Sequence, residues 1–167
     1  MTFFWICLAV FLVFGLVVFR GSPYVPSQKK YIRQAFTDLY KITSKDVLID
    51  IGSGDGVVLR EASKLGARSI GYEINPLLVF ISRFLSFKNK KITVHLADFW
   101  SAKIPDDTTI IYVFSVTRDI KNITRRLRKE VNRIGHSVYL LSFAGDFTDL
   151  KLVKKNQSYR LYLINKI

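Results

Sequence analysis

The sequence predicts a doubly wound α/β sheet that finishes in an antiparallel hairpin. Short apolar runs alternate with amphipathic segments along residues 45–167, the pattern of strands joined by crossover helices. A glycine-rich turn follows the first of these runs, in "VLIDIGSGDGVVLR". The last two runs, "LKLVKK" and "SYRLYLINK", are separated only by "NQ", too little chain for a crossover helix, so they pair antiparallel.

The chain has 167 residues, 49% of them hydrophobic, with a formal net charge of +13. That length suits one ordinary domain with a packed core. The charge calls for an acidic partner surface such as anionic lipid, nucleic acid or an acidic protein. Cys7 is the only cysteine, which excludes an intrachain disulfide and a cysteine-based metal site. His95 and His136 have no partner spacing for a metal.

From Phe3 to Phe19 no residue is charged. Such a run makes a helix of roughly 26 Å, short for a bilayer core but within the usable range. No basic region precedes it and "VVFRGS" is a poor cleavage site, so a membrane anchor over residues 1–20 is expected rather than a signal peptide. Arg20, Lys29, Lys30 and Arg33 follow; the positive-inside rule places the domain on the cytoplasmic side. A bacterial plasma membrane is favoured over a mitochondrial inner membrane.

Residues 21–44 read as a linker and one helix. Pro23 and Pro26 keep the linker extended, and Ser27 is the expected N-cap of a helix running to about Tyr40. "DVLIDI" is a buried strand. A helix over 57–65 stops at Gly66. "RSIGYE" is the second strand, Pro76 opens the next helix, and "KITVHLAD" and "TTIIYVFSV" are the third and fourth strands. The basic amphipathic helix "RDIKNITRRLRKEVNRIG" leads to "HSVYLLSF", the fifth. Its densest run, "RRLRK", is either a solvated face or a contact for headgroups or an acidic substrate.

The glycine loop holds Gly52, Gly54 and Gly56, with Asp50 ahead of them and Asp55 among them. A triphosphate-binding loop needs Lys and Ser/Thr after its last glycine, where this chain has Val57 and Val58. A pyrophosphate would meet the two aspartates at like charge. S-adenosylmethionine carries a sulfonium and an ammonium, which the same aspartates attract. Glu73 ends the second strand, where an acid accepts ribose hydroxyls. Asp98 ends the third, in reach of an adenine amino group, with Phe99 beside it to pack on the ring.

These residues resemble the class I, seven-stranded S-adenosylmethionine-dependent methyltransferases, in "DIGSGDG", "GYEINP" and "LADFW". A narrower stretch, from "PYVPSQKKYIRQAF" to "GYEINPLLVFISR", is similar to small membrane-anchored protein-lysine methyltransferases that modify the ATP synthase c-subunit and the adenine nucleotide translocase. The resemblance implies S-adenosyl-L-methionine as cofactor. Asp50, Gly52, Ser53, Gly54, Gly56, Glu73, Ile74, Asn75, Asp98 and Phe99 would line it, with Tyr24 and Ser27 folded over it. It also implies a lysine of a membrane-associated protein as acceptor. An RNA or small-molecule acceptor is the alternative, and nucleic acid is not favoured. Ser115, Thr117 and Asp146 are the candidates for assisting proton loss from the acceptor.

Overall fold

Seven strands form one sheet in the order β3-β2-β1-β4-β5-β7-β6. This computed structural model describes residues 4–5, 28–115 and 119–167. The elements are α1 (Lys29–Gln34, continued by a π-helical turn over Ala35–Leu39), β1 (Val47–Ile51), α2 (Val57–Lys64), β2 (Arg68–Glu73), α3 (Pro76–Ser86), β3 (Ile92–Leu96), β4 (Ile110–Phe114), α4 (Ile120–Ile134), β5 (Val138–Phe143), β6 (Lys151–Asn156) and β7 (Tyr159–Ile164). Strands β1 to β5 pair in parallel, and β7 lies antiparallel between β5 and β6. The expected sheet and closing hairpin are therefore present.

The central strands are apolar because both faces are covered. On one face Leu48, Ile110 and Tyr112 pack with Leu59 of α2 and with Ile32 and Phe36 of the N-terminal helix. On the other, Ile49, Ile111 and Leu140 pack with Leu127 and Val131 of α4 and with Phe147 and Tyr162. Strand β6 is exposed along most of its length and forms one edge.

The first helix differs from expectation at two points. It is capped at Gln28 rather than Ser27, and it widens into a π turn at Ala35. That turn keeps Ala35, Phe36 and Leu39 on the core side, a tertiary demand that overrides the 3.6-residue period. The crossover from β3 to β4 has no helix. Its Phe99 and Ile104 fill the second core directly.

The expected membrane segment lies outside the described residues, apart from Phe4 and Trp5, which are exposed. Among the described residues no helix is long and apolar enough to cross a membrane. Tyr24, Ser27 and Thr117 also lie outside them.

The "RRLRK" run is only partly a solvated face. Arg126 donates to the carbonyls of Phe99 and Ala102, at 3.1 and 2.5 Å. Arg128 donates to the Asp149 carbonyl. These arginines hold loops, while Arg125 and Lys129 are exposed.

Candidate cofactor site

Parallel pairing brings the C-terminal ends of β1, β2 and β3 to one edge, the place where open α/β sheets bind ligands. There the chain leaves β1 and doubles back over β2. The amides of Gly52 and Ser53 both donate to the Tyr72 carbonyl, at 2.9 and 3.1 Å. Gly52, Gly54 and Gly56 have φ of +73°, +54° and +79°, the left-handed region that disfavours side chains. A Cβ added at Gly52 would meet nothing within 4 Å, so the loop's backbone is open to close approach there.

Gly71 was not foreseen and matters as much. A Cβ on it would stand 2.7 Å from the Ser53 Cβ. Its lack of a side chain lets the loop sit down on β2. A glycine inside a strand is a signal of close backbone approach. Ser53 itself is buried, and its hydroxyl packs toward Gly71.

Glu73 is buried and braces two loops. Its Oε2 accepts the Gly54 amide and its Oε1 the Asn75 amide, each at 2.8 Å. Each oxygen keeps a second lone pair for a ribose hydroxyl. Asn75 is a helix cap, its Oδ1 accepting the amides of Leu77 and Leu78. Ile74, between them, is 38% exposed.

Asp50 is 2% exposed. Burial first, then the charges of Glu73 and Asp55, push its carboxyl well above the usual carboxylate range. Asp55 is different. Its Oδ1 accepts the Val57 amide and its Oδ2 pairs with Arg60 at 3.2 Å; Arg60 also donates to the Asp55 carbonyl. The expectation that both aspartates attract a cation is thus corrected. Arg60 supplies a countercharge to Asp55, and burial beside Glu73 makes negative charge costly at Asp50. A cation placed there relieves that cost, and a pyrophosphate would add to the repulsion.

At the end of β3, Asp98 is exposed and opens a turn, its Oδ1 accepting the Trp100 amide. The Phe99 ring is turned into the core, 7% exposed, with the Arg126 guanidinium 5.2 Å from its centre. It is not an open platform for adenine, as the sequence suggested. Trp100, 46% exposed and 5.6 Å from Phe99 between ring centres, is the accessible aromatic of this turn. The turn that Asp98 opens buries Phe99 and leaves Trp100 accessible.

On the acceptor side, Ser115 is buried at the end of β4. Asp146 accepts the Tyr162 hydroxyl at 2.8 Å and lies 3.8 Å from Arg160. It therefore holds the loop after β5 in place. Phe114 and Phe143 stack at 5.6 Å, and Phe143 meets Tyr159 at 4.9 Å. This aromatic wall at the ends of β4 and β5 was not foreseen, since the rings come from strands far apart in sequence.

No known family model matches the chain. By sequence it is similar to the lysine N-methyltransferase of the ATP synthase c-subunit from Xenopus laevis, 29% identical over 112 residues, covering 65% of this chain and 48% of that one. It is also similar to the adenine nucleotide translocase lysine N-methyltransferase of Mus musculus, 28% identical over 112 residues, covering 59% and 48%. The chain spans about half the length of these curated relatives. Among solved structures, an RNA methyltransferase from Salinibacter ruber in complex with S-adenosyl-L-homocysteine matches with a TM-score of 0.68. It is 23% identical, and the match covers 84% of this chain and 93% of that one. The strand order, the glycine loop and these matches agree: the chain has the seven-stranded fold of the class I S-adenosylmethionine-dependent methyltransferases and is related in sequence to lysine N-methyltransferases.

Proposed function

We propose that the protein is an S-adenosylmethionine-dependent methyltransferase whose acceptor is a lysine of a membrane-associated protein. The observation that carries the cofactor reading is the buried Asp50 carboxyl beside Glu73, under a glycine loop open at Gly52. Such a site favours a cation brought close to the backbone. The lysine acceptor rests on the sequence similarity to lysine N-methyltransferases.

In this reading Gly52 to Gly56 receive the methionyl part, Glu73 the ribose, and Ile74 and Trp100 the adenine, with Asp98 at its amino group. The lysine nitrogen attacks the methyl carbon as the carbon–sulfur bond breaks, and S-adenosylhomocysteine leaves. The enzyme's main task is alignment. The amine must first be neutral. An apolar wall of Phe114 and Phe143 favours the uncharged form by withholding water, and Ser115, at the end of β4, is the candidate for assisting proton loss. The apolar run 3–19, with the basic residues after it, would tether the domain to the cytoplasmic face of a plasma membrane.

An RNA acceptor is the second reading. It is favoured by the match to an RNA methyltransferase across 93% of that chain and by the net charge of +13. Incubation with methyl-labelled S-adenosylmethionine and membrane fractions separates the two. The lysine reading predicts protease-sensitive label that mass spectrometry assigns to lysine. Label sensitive to nuclease alone would overturn it.

A further inference from the structure

Helix α3 is a surface helix without a polar face. It buries Val79, Ser82 and Ser86. Outward it shows Leu77, Phe80, Phe84 and Leu85, at 42, 66, 65 and 51% exposure, and Phe87 just beyond is 72% exposed. Phe84 and Phe87 stack at 6.3 Å. Surface helices of soluble domains ordinarily turn charged residues to water, and an exposed apolar patch marks a contact surface. The patch stands at the β3 end of the sheet, opposite the β6 edge. Leu96, 55% exposed, shares the helix side of β3 with Val94.

The charge around the patch has one sign. Between Glu73 and Asp98 the chain has no carboxylate, and it carries Arg83, Lys88, Lys90 and Lys91. Arg83 is turned inward onto the Val94 carbonyl. The three lysines are exposed and follow the aromatics directly, and the Lys88 ammonium lies 5.5 Å from the centre of the Phe87 ring. Aromatic side chains capped by lysines are what a bilayer interface accepts: rings at headgroup depth, ammonium groups among anionic phosphates.

We infer that the outer face of α3, with Phe87 and the lysines after it, docks on an anionic lipid surface. Charge complementarity selects this occupant. A second copy of the chain would bring the same basic rim against itself, in a molecule already at +13. The inference rests on α3 and its flank, not on the chain's activity. It would orient the sheet with its β3 edge toward the membrane.

Tryptophan depth measurements test it without cofactor or acceptor. Phe84→Trp is made in the full chain carrying Trp5→Phe and Trp100→Phe, with Phe80→Trp as a second probe and circular dichroism to show that each variant is folded. Vesicles contain phosphatidylserine and acyl chains brominated at known depth. The inference predicts a blue shift and severalfold quenching at both probes. Reversal of Lys88, Lys90 and Lys91 to Glu should return the quenching to background, because each lysine near the surface strengthens binding. Probes that remain water-exposed with vesicles present would overturn it. So would probes already shielded before vesicles are added, the sign of a second copy or the N-terminal segment on this face. Shielding only by an added protein would overturn it as well.

Discussion

The Gly54 amide donates to Glu73 Oε2 at 2.8 Å, across 19 positions of sequence. One carboxylate thereby fixes the glycine loop after β1 to the end of β2, and through the Asn75 amide it also fixes the start of α3. The residue proposed to receive the ribose is the same one that shapes the loop proposed to receive the methionyl part.

Glu73→Ala should therefore harm binding more than stability. Two buried amides lose their acceptor, about 1–3 kcal/mol each if left unpaired, although loop relaxation to water recovers part of this. S-adenosylmethionine affinity should fall by about two orders of magnitude or more, since a charge-assisted contact and the loop's shape vanish together. Calorimetry beside thermal unfolding separates the two effects. A large loss of melting temperature with unchanged affinity would show that Glu73 is a brace and nothing else.

Asp50→Asn should have opposite effects on folding and binding. Below about pH 3.9 the carboxyl is protonated in both folded and unfolded chains. As pH rises, the unfolded chain ionises first, because burial and then Glu73 and Asp55 hold the folded value high. The group's contribution therefore favours the fold at low pH and is lost as pH climbs through the raised value. Asparagine stays neutral, so the ligand-free variant should melt a few degrees higher at neutral pH, as a gain near 1 kcal/mol would give. Its S-adenosylmethionine affinity should collapse. In the wild type, affinity should rise with pH over the same range, since a cation prefers the ionised carboxylate.

Gly54→Val places a β-branched side chain at φ +54°. A left-handed conformation costs a side chain about 1–2 kcal/mol, and a branched one more. The variant should melt lower and show no measurable cofactor binding. Wild-type affinity in the variant would mean that the methionyl part lies elsewhere.

Asp46 anchors the opposite end of β1. It accepts the Tyr40 hydroxyl at 2.6 Å, the Thr43 amide and hydroxyl at 2.8 Å each, and the Thr109 hydroxyl at 2.9 Å. Burial works to raise its pKa, but these donors prevail and hold it below the usual value. Its contribution is present above about pH 3.9 and lost as pH falls through the lowered folded value. Asp46→Ala should remove roughly 3 kcal/mol of stability and flatten the acid limb of the stability curve. Cofactor affinity should be unchanged, which denaturant titration and calorimetry can check together.

What the sequence revealed follows from how local each signal is. The β1 run, the glycine spacing, Asn75-Pro76 at a helix start and the two-residue hairpin turn are decided within a few residues, and the sheet follows from their alternation. Glu73 and Asp98 were legible as acids at strand ends for the same reason. The partners were not. That Arg60 would meet Asp55, that Gly71 would lie beneath Ser53, or that Asp146 would be held by Tyr162 depends on how elements pack. The inward turn of Phe99 depends on Arg126, 27 residues on. A carboxylate in a motif can be recognised from sequence, whereas its countercharge is fixed only by the fold.

In the proposed function, the edge formed by β1, β2 and β3 binds a cationic methyl donor through Asp50. Isothermal titration of the wild type and Asp50→Asn with S-adenosylmethionine and S-adenosylhomocysteine tests it most directly. Saturable wild-type binding of both ligands, with the variant losing much more affinity for the sulfonium form, is the predicted result. Failure of the wild type to bind either ligand, or equal losses for both, would contradict it.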